Sequence, residues 1–563
     1  MSRNTVLKLV LAAIAMAVAA AAMWPSARNG FVWDDSTYVI TNPLVRELSA
    51  DGVKRVFTES HFGLYKPVTF LSFAVNYHFS GLNPLPYHAT NVALHTINAG
   101  LVFLLVLLLV GDHWVAFLCA LLFGAHPMHV ESVAWISERK DMLYALFFLL
   151  CSVLYIRRVQ GGSVAAYVVS LVCFGLSLMA KPMGITLPLL LFVYDYLLGR
   201  RFDGRLVTEK FTYFLIAGLF ALLTLFLLDS AKQMNTVFSL SDRILFVFYG
   251  LEFYIGKLLC PLNLSAMYPF PAKNGVSLPL EYWLSPVTVL GCIALLFLFF
   301  RRSRAVMAGL AFYMITVAPV LQFVPVGPVI TADRYSYIPA LGLFLPLSVY
   351  AVRLLAKLRE KNIRLAAGVT VCMAVCVITL IFAARARCAV WRNDVMLFSD
   401  ASAKYPAPAS LNRFGTALME VGRMDDAQKV LQTSADLIGP FRLDTCNISD
   451  IAITYVQLGR VLYLKGKTEL AEKLLRSVLQ FTETAPLLLA LSDVELKKGN
   501  FGAALALAAQ ATLDPAFRAG AYFQLGDIYM KTGNVSLAAQ AYGRGNVLNP
   551  SHPIPRSAVI EQR

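Results

Sequence analysis

Apolar residues recur in long runs over the first two thirds of the chain, at about 5–24, 91–110, 114–130, 141–157, 163–180, 183–198, 211–228, 286–300, 305–325, 338–356 and 364–384. Each is near the length a helix needs to cross a hydrocarbon core about 30 Å thick, so about eleven spans are expected. A further stretch, 243–260, is apolar enough, but it carries Glu252 and Lys257 and would put the Arg301, Arg302 and Arg304 loop on the wrong side. It reads as a re-entrant or interfacial helix. Past Arg387 the pattern changes to short amphipathic stretches punctuated by Gly422, Gly466, Gly499 and Gly533. The first interval is 44 residues and the later two are 33 and 34, close to the tetratricopeptide period of helical hairpins. The stretch 439–450 reads as an insertion or break in that array.

The fold expected is therefore all-α: a polytopic membrane domain over 1–387, with a long first outer loop at 25–90, then a tetratricopeptide-repeat α-solenoid of about four hairpins over 388–563. Such hairpins stack into a superhelix with a concave face that holds extended peptides or partner proteins. The loop 25–90, with His61, Lys66, Pro67 and His78 beside short amphipathic pieces, is too long to be idle and is expected to be folded and functional.

Composition agrees with a membrane protein: 563 residues, 58% hydrophobic and 15% charged. The net charge of +15 does not point to nucleic acid, because the basic residues gather in short loops such as Arg157-Arg158, Arg200-Arg201 and 353–364. Such loops stay cytoplasmic. The amino terminus is then cytoplasmic, and the loops at 25–90, 131–140, 181–182, 229–285 and 326–337 share the outer face with the repeats. Ala19 to Ala22 would suit a signal peptidase, but the spans that follow favour a first membrane helix. Of nine cysteines most lie in apolar runs, and no CxxC pair offers metal-ligand spacing. Cys388 and Cys446 lie outside the spans and are a conceivable pair.

The chemistry-bearing residues fall on that outer face. Asp34 and Asp35, in Phe31-Val32-Trp33-Asp34-Asp35, stand just past the first span, where ionisable groups are costly unless solvated or paired. His88 enters the second span. A second cluster holds His126, His129, Glu131, Glu138, Arg139, Lys140 and Asp141, and others lie at Lys181 and at Asp333-Arg334-Tyr335. His126, His129 and Glu131 are spaced weakly for a metal and are expected to line a cavity or bond loop backbone. Arg139, Lys140, Lys181 and Arg334 are cations on the face where positive charge is rare, and a phosphate is their natural partner. The alternative for each is pairing or snorkelling at the interface. Carboxylates for proton work beside cations for a phosphate suit transfer of a group from a membrane-anchored phosphate donor.

These residues, with Tyr87-His88-Ala89-Thr90-Asn91, His95, His126-Pro127-Met128-His129-Val130-Glu131-Ser132-Val133-Ala134-Trp135, Lys181-Pro182-Met183 and Asp333-Arg334-Tyr335-Ser336-Tyr337-Ile338-Pro339, resemble the TMTC family. The resemblance implies a multispanning C-type glycosyltransferase that moves a hexose of the mannosyl kind from a polyprenyl-phosphate carrier to Ser or Thr hydroxyls of proteins, with inversion. By that analogy Asp35 or Asp34, with slight preference for Asp35, is the general base, and Arg139, Lys140, Arg334 and Lys181 steady the leaving phosphate. His88, His126, His129, Glu131, Asp333 and Tyr335 would line the substrate cavity. The resemblance names no cofactor, and the second acid leaves room for a divalent cation, Mg or Mn. The short repeat array suggests a bacterial inner-membrane protein with periplasmic repeats that hold an acceptor protein. Two other readings share the residues: a C-type transferase acting on lipid or polysaccharide, and a non-catalytic membrane scaffold with a docking domain.

Overall fold

A computed structural model describes residues 2–60, 65–228, 238–271, 273, 277–323, 327, 329–438 and 448–548. His61, Cys446 and most of the break at 439–450 lie outside the described residues, as does any Cys388–Cys446 pair. The described chain is helical, with no strand beyond one isolated bridge between Tyr268 and Thr331. It divides into two compact units, 1–397 and 398–563.

In the first unit each apolar run is helical over most of its described length. Among the described residues seven helices are long and apolar enough to cross a membrane, and an eighth is counted if the bent pair His113–Ala125 and Pro127–Ala134 is one span. Three more, Val164–Ala180, Pro182–Leu197 and Arg304–Val320, are apolar but shorter. The difference from the eleven expected is one of length: Pro127, Pro182 and Pro319 sit in or beside 3-10 turns that interrupt the α-helix. Leu240–Leu259 is one continuous 20-residue helix opened by a Ser239/Asp242 capping box. It buries one face through Phe246, Leu251, Tyr254 and Leu258 and is not among the helices apolar enough to span.

The first loop is shorter than expected, because the helix Pro84–Val110 begins seven residues before its apolar run. Asn83 accepts from the Leu85 N–H and Pro84 supplies the first turn. What precedes it is folded. Helix Pro67–Ser80 packs Phe70, Phe73 and Ala74 against Tyr38, Val39, Leu44, Val45, Val56 and Tyr87, a small core that also takes Ile136.

In the second unit four antiparallel helix pairs follow one another: Pro408–Glu420 with Met424–Ile438, Ile448–Leu464 with Thr468–Leu479, Ala485–Lys497 with Phe501–Ala511, and Arg518–Lys531 with Val535–Leu548. The four punctuating glycines sit between paired helices at φ of 78° to 83°, the left-handed conformation that ends a helix cheaply only at glycine. Within three hairpins a second glycine lets the helices touch. A Cβ at Gly415, Gly459 or Gly526 would lie 2.5–2.7 Å from Leu431, Leu475 or Tyr542.

Candidate active site

Loops named from the sequence converge in the first unit, around the turn that follows the first helix. Three hydrogen bonds tie that turn to the end of the last long helix and the residues after it. Asn29 Nδ2 donates to the Cys388 carbonyl at 3.0 Å, Gly30 N–H to the Arg392 carbonyl at 3.0 Å, and Trp33 N–H to Asp394 Oδ1 at 2.8 Å. Trp33 sits at φ 53°, a conformation that costs a residue with a side chain about 1–3 kcal/mol unless its surroundings hold it. Its ring is held as well, stacked on Trp135 at 4.5 Å and 10°, and Trp135 in turn stacks on Trp391 at 5.5 Å and 28°.

That geometry separates the two acids. Asp35 is fully buried, and both its carboxylate oxygens are occupied: Oδ2 accepts from the Val32 N–H at 2.9 Å, and Oδ1 from the Ser137 N–H at 2.7 Å and the Ser137 hydroxyl. Burial pushes its pKa up to about 7, against the three donors and with help from the Asp34 charge. Asp34 is half-buried, and its carboxylate makes no hydrogen bond or ion pair among the described residues. A pKa near 7 alone would suit Asp35 as a base, but access comes before pKa. The two acids therefore differ in access: Asp35 anchors the turn to Ser137, whereas Asp34 is half-buried with its carboxylate unbonded among the described residues.

Beyond Trp135 lies a compact charge cluster. Lys140 Nζ stands 2.7 Å from Glu138, and Arg334 Nε 3.4 Å from the same carboxylate. Arg334 also bonds Glu131 through its guanidinium and, at 2.9 Å, through its backbone N–H. Lys181 pairs with Asp141, whose other oxygen accepts from Ser132 at 3.1 Å. Lys140 and Arg334 lie 5.7 Å and 5.5 Å from the Trp135 ring centre, and Arg334 and Lys181 lie 4.7 Å and 5.5 Å from that of Tyr335. Lys66 completes the group. It donates to the Tyr38 hydroxyl at 2.9 Å and has no ion-pair partner among the described residues. Burial holds the Lys66 ammonium below its usual pKa, with Lys140 adding to the effect. Burial would raise the Tyr38 phenol, but Lys140 and Lys66 outweigh it and hold it below its ordinary value. Glu131, Glu138 and Asp141 pair with Lys140, Arg334 and Lys181, and Lys66 is the fourth cation of the group.

Not every residue singled out from the sequence joins this cluster. Arg139 is buried facing the opposite way. It donates to Asn91 at 2.8 Å, the Tyr87 carbonyl at 2.8 Å, Ser72 Oγ at 3.0 Å and Asn76, with its guanidinium over the Phe73 ring. Those bonds clamp Pro67–Ser80 to Pro84–Val110, so Arg139 is a structural strap and not a phosphate ligand. His126 and His129 are buried and bonded to backbone. His126 Nε2 lies 3.1 Å from the Leu258 carbonyl, and His129 Nδ1 2.8 Å from that of Phe123. They pack the core beneath the cluster instead of lining a cavity. His88 Nε2 lies 3.2 Å from the Gly30 carbonyl and props the turn. Asp333 accepts from Tyr268 at 2.8 Å, and burial, reinforced by the Glu131 charge, pushes it up to about 7. For a divalent cation the residues do not fit: among the described residues no group of three His, Cys, Asp or Glu is placed to hold one, and Glu131, Glu138 and Asp141 are already spent on cations.

Ser137, Tyr38 and Asp394 were not singled out from the sequence. Ser137 and Tyr38 are ordinary residue types in ordinary places. Lys66, beside Pro67, was named only as part of the long loop 25–90 and not as a partner for phosphate.

Similar proteins bear on this arrangement. A tetratricopeptide repeat profile matches residues 519–552. Human protein O-mannosyl-transferase TMTC2 is 34% identical over 185 residues, covering 30% of this chain and 22% of its own. The Caenorhabditis elegans protein O-mannosyl-transferase F38B6.6 is 25% identical over 432 residues, 71% of this chain and 58% of its own, so the chain spans well under two thirds of either relative. Of solved structures, the Archaeoglobus fulgidus oligosaccharyltransferase tethered to an acceptor peptide is similar at a TM-score of 0.36 and 12% identity, over 75% of this chain and 58% of that one. ArnT from Cupriavidus metallidurans, bound to undecaprenyl phosphate, is similar at 0.34 and 14%, over 78% and 82%. The chain is thus similar in sequence, over part of its length, to TMTC protein O-mannosyl-transferases, and pairs a unit of many apolar helices with tetratricopeptide-type hairpins.

Proposed function

We propose that the chain is a membrane glycosyltransferase that moves a sugar, with inversion, from a polyprenyl-phosphate carrier to Ser or Thr hydroxyls of proteins. What carries the reading is the half-exposed, unpartnered Asp34 on a turn whose neighbouring tryptophan stacks against a cluster of four cations. Asp34 takes the proton of the acceptor hydroxyl, the acceptor oxygen bonds to the anomeric carbon from the face opposite the phosphate, and the anomeric C–O bond to phosphate breaks. The departing polyprenyl phosphate keeps the electron pair, and Lys66, Lys140, Lys181 and Arg334 receive its charge. A positioned base of this kind contributes about 10² to 10⁴ in rate. The relatives' printed activity and the repeat hairpins support a protein acceptor. In a bacterial inner membrane the turn and the repeats would be periplasmic, the amino terminus cytoplasmic and the carrier undecaprenyl phosphate.

The test is transfer of labelled sugar from polyprenyl-phosphate donors to envelope proteins by the purified full chain. Wild type should label protein and Asp34→Asn should not, although folded. Label appearing only in lipid would replace the acceptor. No turnover of any donor sugar would leave a scaffold.

A further inference from the structure

The residues that fix the Trp33-Asp34 turn lie at the far end of the membrane unit's sequence. Trp33 holds a left-handed backbone conformation in a turn closed locally by Asp35 N–H to the Val32 carbonyl at 3.0 Å and Val32 N–H to Asp35 Oδ2 at 2.9 Å, and its own N–H points out of that turn to Asp394 Oδ1. Asn29 and Gly30 are tied to Cys388 and Arg392 in the same strip, and Trp391 closes the indole stack behind Trp135. Asp394 opens the helix Asp394–Lys404, but the cap is made by its neighbour: Asn393 Oδ1 accepts from the Met396 N–H at 2.9 Å. The Asp394 carboxylate accepts the Trp33 N–H through Oδ1.

We infer that Asp394 is a positioning residue: by accepting the Trp33 N–H it holds the left-handed turn that presents the Asp34 carboxylate beside the cation cluster. This rests on the proposed transfer reaction for its kinetic consequence, though not for its structural one. Without the bond Trp33 relaxes toward ordinary backbone angles, and the carboxylate one residue on swings with it. The donor is bound by the cluster and not by the turn, so its binding is spared while the chemical step suffers. An ångström of misplacement of a reacting group can cost about a hundredfold in rate.

The experiment compares the full-length wild type, Asp394→Ala and Asp394→Asn. The readouts are kcat and donor KM for sugar transfer and the circular-dichroism couplet of the stacked indoles. Asp394→Ala should lose about tenfold to a hundredfold in kcat, keep donor KM within about twofold, and weaken the couplet. Asp394→Asn, which retains an acceptor oxygen without the charge, should recover most of both. A role limited to charge at a helix start would lower the two variants equally and overturn the proposal, as would an Asp394→Ala enzyme with wild-type kcat or an intact couplet. If the alanine variant does not fold, Asp394→Ser, too short to reach Trp33, takes its place with the same expected and overturning results. If wild type transfers no sugar, the transferase reading fails by itself. The couplet then decides alone, its loss in Asp394→Ala and return in Asp394→Asn upholding the tie and an unchanged couplet refuting it.

Discussion

Asp34 and Asp35 differ by one position and have opposite fates, because consecutive side chains leave a turn in different directions and only one can face the protein. Substituting each separates the roles. Asp34→Asn should lower transfer by about 10² to 10⁴ with the melting temperature unchanged, whereas Asp35→Asn should act first on the fold. The sign of its pH effect follows from burial. A carboxyl raised from 3.8 to about 7 in the fold binds more protons folded than unfolded, so its contribution to stability fades as pH rises from about 4 to 7 and is level above. The melting temperature of wild type should fall over that window more steeply than that of Asp35→Asn. The residual slope belongs in part to Asp333, raised to the same range. Lys66→Met removes one cation of the cluster, and donor KM measured by transfer should rise roughly tenfold, the worth of one charge-assisted hydrogen bond of about 1.5 kcal/mol. The sequence shows which positions carry charge at a membrane border. It does not show that Arg139 spends its donors on Ser72, Asn76, Tyr87 and Asn91 while Lys140, one residue later and about 100° further round the helix, turns to Glu138.

Helices are the most legible level, since a run of apolar residues or a 34-residue period needs no long-range information to be seen. Their ends are less so. Pro84–Val110 starts where Asn83 and Pro84 can satisfy its first turn and not where hydropathy begins, which moves Tyr87 and His88 from loop to helix. The repeat hairpins make the opposite case. The punctuating glycines have a local, readable reason in their left-handed backbone, while Gly415, Gly459 and Gly526 are small because of a side chain some 16 residues away on the partner helix. Gly526→Val would press into the Tyr542 ring, which donates its hydroxyl to Asp527. A loss of about 1–3 kcal/mol is expected, visible as an earlier melt of the last hairpin in hydrogen exchange. Gly520, with nothing near its Cβ position, should tolerate alanine.

At the scale of the molecule, pairings that no local pattern encodes assemble the site. Glu131 and Arg334 are 203 positions apart, and Trp33 and Asp394 are 361 apart. A chain ending at Leu397 keeps the ties of Asn29, Gly30 and Trp33 to Cys388, Arg392 and Asp394 and, on the proposed reaction, should still hydrolyse donor. One ending at Val390 loses Trp391, Arg392 and Asp394 and should insert its helices yet leave the donor intact, a difference read by release of labelled sugar to water. The long tie also sets a clock. At about 5–20 residues added per second, a growing chain carries Asp34 for roughly 20–70 s before Asp394 exists to aim it. On the proposed reaction, an unfinished protein in the bilayer among charged sugar carriers should turn over about tenfold to a hundredfold more slowly than the finished one, because the bond that aims its base is among the last to form.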